Sequence, residues 1–142
     1  MSTSSDFKKI SKLLKTLPAK LQKSVVNGSV RAAAAVVRDE VKERVAKDKE
    51  NVKKAISIKK RRSKKQEVRY SVYVKAVKLK NGINGAKNTK QVAYYLEYGT
   101  KNMAKLPFIR VAAESVGQRP VTAARIYFKK NVDKRIKQIK VR

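Results

Sequence analysis

The chain contains no cysteine and no histidine among its 142 residues. Without cysteine it has neither disulfides nor a thiolate nucleophile, and without both residue types it lacks the usual zinc ligands. The missing histidine also removes the side chain that most readily moves protons near neutral pH. These absences exclude most familiar active sites, and nothing in the sequence indicates a cofactor.

Carboxylates are also scarce, with 10 Asp and Glu against 38 Lys and Arg, for a formal charge of +28. Several of them stand four residues before a base, among them Glu40 before Arg44 and Glu43 before Lys47. On a helix this spacing forms ion pairs, so we expect a solvated helix face there rather than a catalytic site. No nucleophile and base can be paired, which makes a small hydrolase the least favoured interpretation.

Long apolar runs are absent too. The first ten residues lack the apolar core of a signal peptide, and no stretch approaches the roughly 18 apolar residues of a membrane span. We therefore expect a soluble protein made in the cytoplasm, with no membrane partner.

The length suits one domain. We expect residues 1–17 to form a short helix or arm and residues 18–142 a single α+β domain. In this prediction a long N-terminal helix and C-terminal helices pack on a small, mainly antiparallel sheet that carries a mobile basic loop.

The three prolines mark element boundaries. Pro18 ends the first amphipathic segment and fits the first turn of a second helix, which Asn27-Gly28 is expected to bend or interrupt. Pro107 fits the start of another helix. Pro120 precedes a basic amphipathic segment that could lie on DNA or a membrane, although packing on its own domain is the commoner use of such a stripe.

Apolar and polar residues alternate at 56–59 and again at 68–75, the period of half-buried strands. Two Asn-Gly dipeptides within 80–85 predict a turn or loop. The pattern from Gln91 to Tyr98 fits either a strand or a short helix.

A dense basic run lies between the two predicted strands. It contains no aromatic residue to stack on a base, so it predicts attraction to phosphates without sequence reading. DNA contact and a solvated, mobile hairpin tip explain it equally well. The DNA-facing candidates are Lys59, Lys60, Arg61, Arg62, Lys64 and Lys65.

Three of the six tyrosines surround one glutamate, in Tyr94-Tyr-Leu-Glu-Tyr-Gly-Thr100, and Pro107-Phe108 follows after a spacer that we expect to be mobile. Gly99 can adopt backbone angles closed to other residues, and Thr100 can bond to neighbouring backbone groups. Glu97 has no second acid or nucleophile near it in sequence. We expect it to accept hydrogen bonds from a turn or a neighbouring subunit rather than to act as a catalytic acid.

This segment resembles the signature of the siphophage neck and tail-component family, small proteins at the head-tail junction of long-tailed bacteriophages. The resemblance consists of a Glu-aromatic-Gly-Thr turn, a spacer with Met, and Pro-Phe opening a helix with small residues. The order of elements agrees over roughly residues 18 to 142. The matching residues are Glu97, Tyr98, Gly99, Thr100, Met103, Pro107, Phe108 and Ala112.

The resemblance implies a non-enzymatic virion protein that forms a ring, hexameric in this family, on the head-proximal end of the tail. The ring would join the tail terminator to head-side connector proteins, with genomic DNA crossing its lumen. Either subunit contacts or core packing explain the aromatic residues of the segment. The interface candidates are Tyr94, Tyr95, Glu97, Tyr98, Gly99, Thr100, Pro107 and Phe108.

The alternative is a basic nucleic-acid-binding protein without sequence specificity, for which phosphate contact is the main activity. The net charge supports it. The turn motif and the lack of aromatic residues in the basic run speak against it.

Overall fold

A computed structural model describes residues 3–63, 67–83 and 85–140. Its fold is α+β, as the sequence predicts. Two antiparallel sheets of two strands each take the place of the single expected sheet. The helices are α1 (Thr3–Lys15), α2 (Ala19–Arg44), α3 (Glu50–Ala55), α4 (Thr89–Tyr98), α5 (Ile109–Ser115) and α6 (Arg119–Lys140). The strands are β1 (Ile56–Arg61), β2 (Arg69–Val74), β3 (Lys78–Ile83) and β4 (Ala86–Asn88). No helix in the described ranges combines the length and apolar character needed to cross a membrane.

Helix α2 contributes to both core clusters and continues without interruption through Asn27-Gly28. The expected interruption at this dipeptide is wrong. Gly28 instead faces α6, and a Cβ there would lie 2.4 Å from ring atoms of Tyr127. The glycine therefore allows α2 and α6 to approach closely, a contact for which helical periodicity gives no signal.

The two halves of α2 serve two different cores. Its first half contributes Val25 to a small cluster with Leu17 and with Val132 of α6. The basic C-terminal helix thus packs on its own domain, as expected. The second half of α2 contributes to the main core, whose buried members are Val41, Val45, Val52, Ile56, Ala86, Val92, Ala93, Leu96, Phe108 and Ala112.

Strands β1 and β2 form the predicted hairpin, in a register that sets Ile56 opposite Val74 and Lys60 opposite Tyr70. The basic residues Lys59, Lys60 and Arg61 belong to β1 rather than to a loop.

Strands β3 and β4 pair in a second hairpin, in which Ile83 lies opposite Ala86 and Gly85 has a φ of 81°, whereas Asn84 lies outside the described residues. The turn predicted at the first dipeptide is wrong, since Asn81-Gly82 lies within β3.

Segment 89–98 is a helix because of local capping at its start. The Asn88 side chain accepts a hydrogen bond from the backbone N–H of Gln91 at 3.0 Å. The Gln91 side chain accepts one in return from the backbone N–H of Lys87 at 2.7 Å. This reciprocal arrangement is close to a capping box and resolves the ambiguity of the alternating pattern.

Glu40 joins three helices from a buried position on α2. One carboxylate oxygen accepts hydrogen bonds from Arg44 Nε and Ser115 Oγ, both at 2.8 Å, and the other accepts one from Arg119 Nη2 at 2.5 Å. The bond from Arg119, followed by those from Ser115 and Arg44, lowers the pKa of Glu40 to about 2.

The predicted pair between Glu40 and Arg44 is thus confirmed, but its expected solvated position is wrong because α5 and α6 cover the carboxylate. The second predicted pair, Glu43 with Lys47, is not a helical pair, since α2 ends at Arg44.

The bonds to Glu40 make stability depend on acidity in a defined window. The pKa of Glu40 is about 2 in the folded chain against an ordinary value of 4.5, so its contribution is complete above pH 4.5 and is lost as the pH falls through 2. Urea unfolding of Glu40→Gln and of the parent should therefore give a difference in unfolding free energy that is largest near neutral pH and shrinks in acid. Glu43→Gln, which removes an exposed carboxylate from the same helix, is the control. A difference for Glu40→Gln that stays constant down to pH 2 would contradict the assignment.

Candidate functional site

The glutamate of the Tyr-rich segment caps the helix that follows it. From the last turn of α4, one oxygen of Glu97 accepts hydrogen bonds from the backbone N–H groups of Phe108 and Ile109, both at 2.9 Å. The other oxygen accepts one from the N–H of Arg110 at 3.1 Å. N–H groups at a helix start have no partner within the helix, and a negative charge is favourable there. The prediction that Glu97 accepts structural hydrogen bonds is confirmed, and its donors are the start of α5 rather than the Gly-Thr turn.

The chain between α4 and α5 is held in a tight turn. Gly99 has a φ of 79°, and a Cβ there would lie 3.0 Å from the Met103 carbonyl oxygen, so both conformation and space favour glycine. The backbone groups of Thr100 and Met103 bond to each other at 2.9 and 3.2 Å. The N–H of Leu106 donates to the Leu96 carbonyl at 2.7 Å. Backbone hydrogen bonds therefore hold the spacer that we expected to be mobile.

The aromatic candidates divide between the core and the surface. Phe108 is 2% exposed and belongs to the main core, so it is not available as a contact residue. Tyr95 is half-buried against the same core, and Pro107 is half-buried as well. Tyr94 and Tyr98 are 60% and 68% exposed, and their ring centres lie 4.8 Å apart.

A groove of about 530 Å³ runs beside the two exposed tyrosines, between α4, α5 and the β1–β2 hairpin. We call it the aromatic groove. Its walls are apolar or aromatic, and three cations stand around them. The walls are Tyr73, Val74, Ala93, Tyr94, Tyr98, Ile109 and Ala113, and the cations are Arg61, Lys90 and Arg110.

The basic run and the tyrosine segment, which are separate in sequence, meet at this groove through Arg61. The Nε of Arg61 donates to Ser71 Oγ across the hairpin at 3.0 Å. Lys59, Lys60 and Arg62 are exposed as well, whereas Lys64 and Lys65 lie outside the described residues. Sequence reasoning missed the cross-strand neighbours, which place Tyr70 opposite Lys60. It also missed Ile109, whose position in the groove depends on how α5 is held.

The described residues contain no group of three or more His, Cys, Asp or Glu that could hold a metal ion. Both oxygens of Glu97, the carboxylate in the groove, are bonded to backbone N–H groups. The groove therefore offers cations and apolar surface for binding, and its carboxylate is committed to holding α5.

Comparisons with protein-family models, with curated proteins and with solved structures found no match to this chain.

The capping role of Glu97 predicts a stability loss specific to this carboxylate. Glu97→Ala should lower the free energy of unfolding by about 2 kcal/mol, because three N–H groups lose their acceptor. Glu114→Ala, which removes an exposed carboxylate from α5 itself, is the matched control and should change stability by less than about 0.5 kcal/mol. Equal losses in urea unfolding of the two variants would refute the cap.

Proposed function

We propose that this protein is a structural subunit of the head-tail junction of a long-tailed bacteriophage. In this proposal it forms a ring, hexameric as in the family it resembles, at the head-proximal end of the tail. The ring joins the tail terminator to head-side connector proteins, and DNA passes through its lumen. Its role is assembly and not catalysis.

The observation that carries the proposal is the arrangement built by the Glu-Tyr-Gly-Thr and Pro-Phe segment. Glu97 fixes the start of α5, Gly99 forms the turn, and Phe108 anchors the segment in the core. Tyr94 and Tyr98 remain exposed beside it. The same residues that carry the resemblance thus build a rigid support for exposed aromatic side chains, which are enriched in protein interfaces.

A ring is compatible with this surface. Subunits in a ring contact each other head to tail, so one patch of the chain meets a different patch of its neighbour. Exposed apolar side chains also occur away from the aromatic groove, including Val121 and Ile126 on α6, the latter 64% exposed. The formal charge of +28 suits a lumen through which DNA passes, since cations attract phosphates without reading sequence.

The proposal predicts a defined assembly defect. Tails made without the protein should reach full length yet fail to join filled heads, and adding purified protein should restore infectious particles. The Tyr98→Ser variant should restore fewer infectious particles than the parent protein, because it removes an exposed contact residue. The Ile126→Ser variant, which removes an exposed apolar side chain away from the aromatic groove, is the comparison. Normal joining of tails that lack the protein would disprove the junction assignment.

Binding of nucleic acid as the main activity is the second candidate, and one observation favours it. Lys59, Lys60 and Arg61 project from a strand, and the hairpin sets Tyr70 opposite Lys60. Cations beside an aromatic ring are a common way to hold single-stranded nucleic acid.

A triple substitution of the basic strand separates the two candidates. Lys59→Ser, Lys60→Ser and Arg62→Ser should reduce the slope of log K against log salt for DNA by roughly 2 to 3, because each lost phosphate contact contributes about 0.9. The matched control replaces the exposed Lys129, Lys130 and Lys134 of α6 by serine. At the head-tail junction the strand variant should still enter particles. Failure of the strand variant to enter particles, together with loss of DNA binding, would favour the nucleic-acid candidate.

A further inference from the structure

The aromatic groove has the size and lining of a binding site for a peptide. Its volume of about 530 Å³ lies within the range of ligand clefts. A second recess of about 300 Å³ shares Tyr73, Val74, Ile109 and Ala113 with it and continues toward Val37 and Val41 of α2. The two recesses therefore adjoin each other at these four shared residues.

The aromatic groove is lined by three cations and one carboxylate, Glu97. Among the described residues the side chains of Lys90 and Arg110 have no hydrogen-bond or ion-pair partner, and the side chain of Arg61 bonds only to the neutral Ser71. Glu97, the carboxylate in the lining, is bonded through both oxygens to the start of α5. Three cations therefore stand beside apolar walls without a carboxylate free to pair with them.

We propose that the aromatic groove binds an acidic peptide segment of another protein, in which Asp or Glu residues stand beside aromatic or aliphatic side chains. The carboxylates pair with Arg61, Lys90 and Arg110. The apolar side chains bury Tyr98 and Ile109, which are 68% and 41% exposed in the free chain. Charge complementarity sets the partner, and apolar burial supplies the affinity.

A second copy of this chain does not supply such a segment. No two of its ten carboxylates stand on either side of a single aromatic or aliphatic residue, and only Asp39 and Glu40 are adjacent in sequence. Glu40 is buried and bound by Arg44 and Arg119, and Asp39 is paired with Arg38. The occupant is therefore a different protein, and the contacts between ring subunits use apolar surface outside the groove, such as Val121 and Ile126.

A peptide also fits the lining better than a nucleic acid does. Ala93, Ile109 and Ala113 offer no hydrogen-bonding side chain to a base edge, whereas they accommodate aliphatic groups. The rings of Tyr94 and Tyr98 are inclined to each other by 42°, so they do not form a parallel stacking platform.

This inference names the chemistry of one partner of the proposed junction subunit. It rests on the proposed function only in placing that partner at the head-tail junction. The experiment below uses the isolated full-length protein and a synthetic peptide. It can therefore fail while head joining succeeds, and head joining can fail while the peptide binds.

The test measures fluorescence anisotropy of a labelled peptide in which Asp and Glu alternate with Phe and Leu. A second peptide has serine in place of Phe and Leu and thus keeps the charge. We expect the first peptide to bind about tenfold more tightly or better, a difference of about 1.4 kcal/mol, because only it buries apolar surface.

Matched variants locate the binding. Lys90→Gln with Arg110→Gln should weaken binding of the apolar acidic peptide about tenfold. Lys129→Gln with Lys130→Gln removes the same charge from the exposed face of α6 and should leave the affinity within about twofold. Tyr98→Ser should weaken binding, and Ile126→Ser, another exposed apolar position, should not.

Three outcomes would overturn the proposal. Equal affinity for the two peptides would show that charge alone attracts them. Equal effects of the groove and α6 variants would show that the whole surface binds. Displacement of the peptide by an oligothymidylate whose affinity falls in the groove variants and not in the α6 variants would assign the groove to single-stranded nucleic acid.

Discussion

Two carboxylates hold the short helix α5, and the candidate site depends on where that helix lies. A helix of seven residues has little stability of its own, because forming its first turn costs more than the few following hydrogen bonds return. Glu97 binds its first N–H groups from α4, and Glu40 binds Ser115 at its end from α2. Between these anchors α5 buries Ala112 in the core. The same placement sets Ile109 and Arg110 at the edge of the aromatic groove.

Because acidic residues are few, using Glu40 and Glu97 inside the fold affects the charge of the surface. With 10 acidic residues against 38 basic ones, a carboxylate used inside the fold leaves cations on the surface without partners. Glu97 lies in the groove but is bound to backbone, so Lys90 and Arg110 face solvent unneutralised. A strongly basic surface with apolar gaps is well suited to acidic partners, whether protein or nucleic acid. The apolar walls of the groove favour protein, and the exposed cations of β1 favour phosphates.

Local patterns in the sequence predicted much of the fold. The α+β class, the β1–β2 hairpin, the helix after Pro107 and the self-packing C-terminal helix all follow from periodicity and from proline and glycine positions. The helix at 89–98 was also readable, since Asn88 and Gln91 have the spacing of a capping pair. These features share one physical origin, because each depends on residues a few positions apart.

The features that the sequence could not predict depend on contacts between distant residues. Glu40 has the same spacing to Arg44 whether it faces water or Ser115 and Arg119. From the sequence, Gly28 is expected to interrupt its helix, and only the structure shows that Tyr127 packs against it. The meeting of Arg61 with Tyr98 in one groove requires the packing of a hairpin against two helices. Periodicity shows which face of its own helix or strand a residue lies on. It does not show which other element packs against that face.

Amide hydrogen exchange at the start of α5 tests the central claim most directly. If Glu97 holds this helix, the amides of Phe108, Ile109 and Arg110 exchange slowly in the parent protein. In Glu97→Ala all three should lose protection together, while amides in the middle of α2 keep theirs. Fast exchange of these three amides in the parent, or unchanged protection in the variant, would show that α5 is held by other contacts.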